Sequence, residues 1–125
     1  MKRTLSILSL LSILSTSHGA IDRQAALNAL IGEAGNQSDQ AMLAVACALR
    51  NRGTLRGVYG VNNPVVNQAS PRLRARAAAA WLRSAQRDIV AGCRYFGCPT
   101  DAPYFLRKLH FRPVLTIGAI TFYKP

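Results

Sequence analysis

Glu33 stands apart among the residues able to move a proton. It is the only glutamate in a chain of 125 residues that carries 16 Lys+Arg against 5 Asp+Glu. Leu27, Leu30, Ile31 and Ala34 have the i, i+3, i+4, i+7 spacing of a helix with one buried face, and Glu33 falls in its last turn. There a carboxylate meets the negative end of the helix dipole, beside apolar Leu30, Ile31 and Ala34. Both effects favour the protonated form, so a raised pKa is expected. A carboxylic acid still protonated near neutral pH can give its proton to the leaving oxygen of a glycoside. The same residue is equally readable as a surface glutamate at a helix end, and the pattern alone leaves both readings open.

The other four carboxylates have structural explanations. Asp22 and Asp39 fall where helices begin and suit capping. Asp88 lies among arginines on a predicted helix, as an ion-pair partner, and Asp101 lies in a Pro-containing loop where it would shape a turn. If a second carboxylate assists Glu33, Asp39 and Asp101 are the candidates. A Ser-His-Asp or Cys-His site would have to use His110, which sits in the basic run Arg107-Lys108-Leu109-His110. The glycines match neither a P-loop nor a dinucleotide fingerprint. Closely spaced metal-ligand pairs are missing, so neither a metal nor a cofactor is expected. Tyr59, Tyr95, Phe96, Tyr104 and Tyr123 are candidates for a sugar-binding groove or for core packing.

These residues need elements to position them. The first helix runs from Asp22 and stops at Gly35-Asn36, both tolerant of left-handed backbone. A second starts near Ser38 or Asp39, buries Met42, Val45, Ala46 and Leu49, and stops at Gly53. Thr54 to Ala69 reads as loop with a short turn of helix. Ser70-Pro71 reads as an N-cap and first residue, opening a long helix predicted to reach about Ala91 before Gly92. On it Ala78, Trp81, Leu82, Ala85 and Ile89 form an apolar stripe, with Arg72, Arg76, Arg83 and Arg87 on another face. Arg74 lies near the stripe and would have to reach round to water. Val114–Ile117 and Ile120–Tyr123 read as short strands about Gly118-Ala119. Helices followed by a small C-terminal hairpin or sheet make one mainly helical α+β domain.

Lys2 and Arg3, the apolar run Leu5–Leu14 and the small or polar residues to Ala20 have the layout of a secretory signal peptide. This ten-residue run is short of the roughly 30 Å of a hydrocarbon core, so residues 1–20 are expected to be removed. Residues 21–125 then form the functional domain, exported to the periplasm or beyond the cell. Without Lys2 and Arg3, 14 basic residues still face 5 acidic ones, most of them arginine. Arginine favours bidentate recognition of anions. Export argues against nucleic acid as the partner and leaves an anionic membrane or a wall polymer, touched through Arg72, Arg76, Arg83 and Arg87; a merely solvated face accounts for these arginines equally well. A monomer is expected. Export also permits disulfides, and Cys93 and Cys98, flanking a four-residue loop, are expected to pair for about 2 kcal/mol. Cys47 reads as a small buried apolar residue.

One stretch carries a resemblance. Ala26 to Arg52, ALNALIGEAGNQSDQAMLAVACALRNR, resembles the spore-cortex-lytic and related bacterial or phage cell-wall hydrolase family. In that family a helix ends in Glu-Ala, a Gly- or Gln-containing turn follows, and a second helix runs to an Asn-Arg pair. Here these are Glu33-Ala34, Gly35 to Gln40, and Asn51-Arg52. Gly92-Cys93-Arg94-Tyr95-Phe96 is similar to the family's Gly-Ala-x-x-aromatic segment, and Ile117 to Tyr123 to its terminal Ile-Gly-x-x-x-Phe-Tyr strand. Two positions depart: Ile120 stands where members often carry histidine, and Cys93 where they often carry another residue. The resemblance implies a lysozyme-like fold related to lytic transglycosylases, peptidoglycan as substrate and Glu33 as catalytic residue; Asn51, Tyr95, Phe96, Tyr104 and Tyr123 are the expected substrate contacts. The competing expectation is a secreted basic protein that acts on membranes or grips peptidoglycan without cutting it.

Overall fold

A computed structural model describes residues 21–125; the expected leader lies outside the described residues. Helix α1 (Arg23–Ala34) starts where the Asp22 carboxylate accepts the Ala25 N–H at 3.0 Å. Its buried face contains all four expected residues, Leu27, Leu30, Ile31 and Ala34, together with Ala26 and Ala29. Gly35 ends it in right-handed rather than left-handed geometry, at φ −61°. Helix α2 (Asp39–Arg52) is capped by Ser38, whose Oγ accepts the Ala41 N–H at 3.1 Å, and ends at Gly53 with φ +74°. The expected stripe understates its burial: every residue from Ala41 to Leu49 is buried. A helix apolar on all sides is surrounded by protein, and the alanines let α1, helix α3 (Pro71–Ser84) and the sheet approach it closely.

Helix α3 begins at Ser70-Pro71 as expected but ends about two turns before Ala91. Arg50 of α2 takes its final groups: Nη2 donates to the Trp81 carbonyl at 2.7 Å and Nε to Ser84 Oγ at 2.6 Å. Asp88 then folds the chain into a turn by accepting the Val90 and Gly92 N–H groups, both at 2.8 Å, an alternative to helical pairing open to short carboxylates. Asp88 is therefore a turn former, not the expected ion-pair partner. The buried face of α3 is Ala77, Ala80, Trp81 and Ser84; Leu82, placed on the stripe by its sequence, is 67% exposed. Arg74 does reach round, donating to the Val66 carbonyl at 2.8 Å.

The sheet has three strands in the order β1-β3-β2: β1 (Tyr95–Gly97), β2 (Arg112–Ile117) and β3 (Ile120–Lys124), both pairings antiparallel. The β2–β3 turn falls at Gly118-Ala119 as expected, with Gly118 at φ +61°. Strand β1 is an addition to the expected hairpin, pairing Tyr95 with Tyr123 and Phe96 with Phe122. It also removes the expected disulfide. All three cysteines are free, Cys93 buried and Cys98 exposed. The backbone between them is drawn out as strand β1, Tyr95–Gly97, instead of closing into a loop. Cys47 is buried as expected, its thiol donating to the Arg87 carbonyl at 3.2 Å. Among the described residues no helix is long and apolar enough to cross a membrane.

Candidate active site

The C-terminal ends of α1 and α2, strand β1 and two short helical turns (Pro99–Asp101 and Tyr104–Lys108) converge on a cleft of about 510 Å³. That lies within the range of small-ligand sites. Glu33 lines it, with Arg52, Tyr59, Tyr95, Phe96, Asp101, Tyr104 and Phe105 among its neighbours. The lining mixes aromatic surface with three charged groups.

Glu33 is half-buried, and a specific packing arrangement fixes it. The loop after α2 forms a 3₁₀ turn, Tyr59–Asn62, that lies against α1. There the Gly60 N–H donates to Glu33 Oε2 at 2.6 Å. The approach depends on two glycines. A Cβ at Gly32 would lie 1.9 Å from the Gly60 oxygen, and one at Gly60 would lie 2.6 Å from Glu33 Cγ. Burial pushes the Glu33 carboxyl above its ordinary value; the Gly60 N–H works against this by stabilising the anion, and the charge of Asp101 adds to the rise. The direction agrees with the sequence expectation. Asp101, one of the two candidates for a second carboxylate, acts on this pKa because it shares the cleft with Glu33.

Tyr95, Phe96 and Tyr104 reach the cleft as expected, and so does Tyr59. Tyr59 and Tyr104 are 84% and 55% exposed, so their rings are open to whatever enters the cleft. Tyr123 does not line the cleft. It is 2% exposed and stacks on Phe105, ring centroids 4.4 Å apart, supporting that wall from behind. Asn51 also departs from expectation. Its Nδ2 donates to Asp88 Oδ2 at 3.0 Å and to the Cys93 carbonyl at 3.1 Å, tying α2 to the segment before β1. Its neighbour Arg52 is the member of the Asn-Arg pair that faces the cleft. A helix turns about 100° per residue, so the two side chains point in different directions, and the motif alone does not say which of them faces inward.

The two candidates for a second carboxylate separate. Asp39 is paired with Arg76, Oδ1 to Nε at 2.6 Å, outside the cleft lining. Asp101 shares the cleft with Glu33, its Oδ2 accepting the Cys98 N–H at 3.0 Å and the Cys98 thiol at 3.2 Å.

Neither a family model nor a curated protein matches the chain. A solved structure does: the catalytic domain of the germination-specific lytic transglycosylase SleB from Bacillus anthracis, with a TM-score of 0.61 and 22% identity, over 82% of this chain and 93% of that one. The two chains share one fold. That fold is mainly helical α+β, as the element pattern predicted, and lysozyme-like, as the resemblance implied. At this identity the match speaks for architecture, and the chemistry rests on the cleft.

Proposed function

We propose that the chain is a glycosidase-type cell-wall enzyme that cuts peptidoglycan strands between N-acetylmuramic acid and N-acetylglucosamine, as a lytic transglycosylase with Glu33 as its one catalytic carboxyl. The observation that carries this reading is a half-buried carboxyl with a raised pKa, held by the Gly60 N–H in an aromatic cleft. The likeness of the fold to a lytic transglycosylase domain supports it. We place the enzyme outside the cytoplasm, in the periplasm or beyond, on the leader-like residues 1–20.

Glu33 enters protonated and donates to the bridging oxygen, so that the glycosidic bond breaks as an oxocarbenium-like centre develops. General acid catalysis of this kind contributes about 10² to 10⁴ in rate. Glu33, now a carboxylate, takes the proton of the muramyl 6-hydroxyl as that oxygen attacks the anomeric carbon. The product is a 1,6-anhydro ring, and the acid is restored. Tyr59 and Tyr104 offer exposed ring faces on which sugars can lie. A hydrolytic route would need a second carboxyl about 5 to 9 Å from the first, with water as nucleophile; Asp101 is the residue in the cleft to supply it.

Mass analysis of the soluble products from purified sacculi tests the reading. Fragments ending in 1,6-anhydromuramic acid are expected. Reducing ends would transfer the reaction to a two-carboxylate hydrolase. Absence of any fragment, with binding or vesicle leakage instead, would make the chain a wall-binding or membrane-active protein.

A further inference from the structure

Arg52 is the one Lys or Arg among the residues lining the cleft, and the reaction above gives it no task. In sequence Arg50 and Arg52 look equivalent: both lie in the last turn of α2, where a cation offsets the helix dipole. The structure separates them. Arg50 turns inward, its guanidinium 3.8 Å from the Trp81 ring centroid and bonded to the end of α3. Arg52 turns to the cleft, its guanidinium 5.3 Å from the Tyr95 ring centroid and its Nη2 donating to the Arg56 carbonyl.

The loop is shaped around that guanidinium. Gly57, also in the cleft lining, has φ +78°, and a Cβ there would lie 3.1 Å from Arg52 Nη2. Glycine meets both the left-handed backbone and the lack of room. The bond to Arg56 takes one of the five N–H donors a guanidinium carries, and the Tyr95 ring limits how the plane can turn. A planar fork held this way is matched to a carboxylate, and holding it before binding lowers the ordering cost.

We propose that Arg52 determines substrate specificity by binding a carboxylate on the stem peptide of the muramyl unit in the cleft. The inference rests on the glycan-cleaving reading and deepens it. A muramyl unit differs from N-acetylglucosamine by a lactyl substituent whose carboxyl is amide-linked to the stem peptide and so carries the peptide's carboxylates. Arg52 therefore supplies a physical ground for acting on peptidoglycan rather than on an uncharged N-acetylglucosamine polymer.

The test uses the full chain on sacculi with native carboxylates, on sacculi whose carboxylates are capped as neutral amides, and on strands stripped of peptide, which lack the stem-peptide carboxylates. For wild type, capping raises KM about tenfold with kcat little changed, the scale of one charge-assisted hydrogen-bonded pair. Arg52→Gln has a KM on native sacculi raised toward that value, and capping raises it much less than it does for wild type. Attraction through arginines elsewhere acts on both proteins and cancels in the comparison. If the effect of Arg52→Gln disappears on stripped strands, the partner is on the stem peptide, as proposed; an effect that persists undiminished there shows that no stem-peptide carboxylate is needed and overturns the proposal. Thermal melts establish that the variants fold, and Arg52→Lys, which keeps the charge without the fork, shows a reduced capping effect should the Gln variant not fold. An equal capping effect in wild type and variant overturns the proposal. Wild type that cleaves none of the three substrates overturns the glycan-cleaving reading itself, and this inference with it.

Discussion

At the scale of single residues, the chemistry depends on how three groups set the proton on Glu33. Burial and the Asp101 charge hold the acid form, while the Gly60 N–H favours the carboxylate. The reaction consumes the acid form, so activity falls as pH rises through the raised Glu33 pKa. Replacing Asp101 with Asn removes the charge and keeps an oxygen that can accept the Cys98 N–H. The Glu33 pKa then drops, and the alkaline limb of the rate–pH profile should move to lower pH; an unmoved limb would show that Asp101 exerts no influence on the acid. The same shift bears on stability. A group whose pKa is raised by folding contributes stability that is fully present below its unfolded value and lost as pH rises through the folded value. A neutral Glu33→Gln side chain escapes that loss, and should melt no lower than wild type at neutral pH.

At the scale of elements, the sequence was legible wherever a helix repeat or a cap decided the outcome. Asp22, Ser38, Gly53 and Ser70-Pro71 mark the ends they were expected to mark, apart from the choice between Ser38 and Asp39. What failed were features decided by partners distant in sequence. The end of α3 is set by Arg50, 34 residues before Ser84. Strand β1 is three residues long and exists because β3 is there to pair with it. The cysteine pairing failed for the same reason: a four-residue gap looked like a closed loop until pairing with β3 extended it. Thiol chemistry checks this. Cys98 should react promptly with a thiol reagent under native conditions, Cys47 and Cys93 only on unfolding, and a reducing agent should leave the melting temperature unchanged. A drop in melting temperature on reduction would restore the disulfide.

On the scale of the whole molecule, a central α2 packed by α1, α3 and the sheet leaves one end of the domain for the cleft, while the cationic surface lies largely elsewhere. The expected arginine face is only partly a face. Arg76 is engaged by Asp39 and by the Gln37 carbonyl at 2.7 Å, and Arg87 lies beyond the end of α3; Arg72 and Arg83 remain exposed on that helix. Screening acts over about 8 Å at physiological salt. Binding to sacculi should therefore weaken as salt rises, and replacing Arg72, Arg83 and Arg87 together with Gln should weaken it at low salt without changing the rate on short soluble strands. Salt-independent binding would rule out a long-range charge contribution. The central claim, that one carboxyl performs the chemistry, is tested most directly by the release of soluble muropeptides from purified sacculi by the Glu33→Gln protein, with binding to the same sacculi measured in parallel. Release should fall by about 10² or more while binding and folding persist; release at the wild-type rate would contradict the assignment of Glu33.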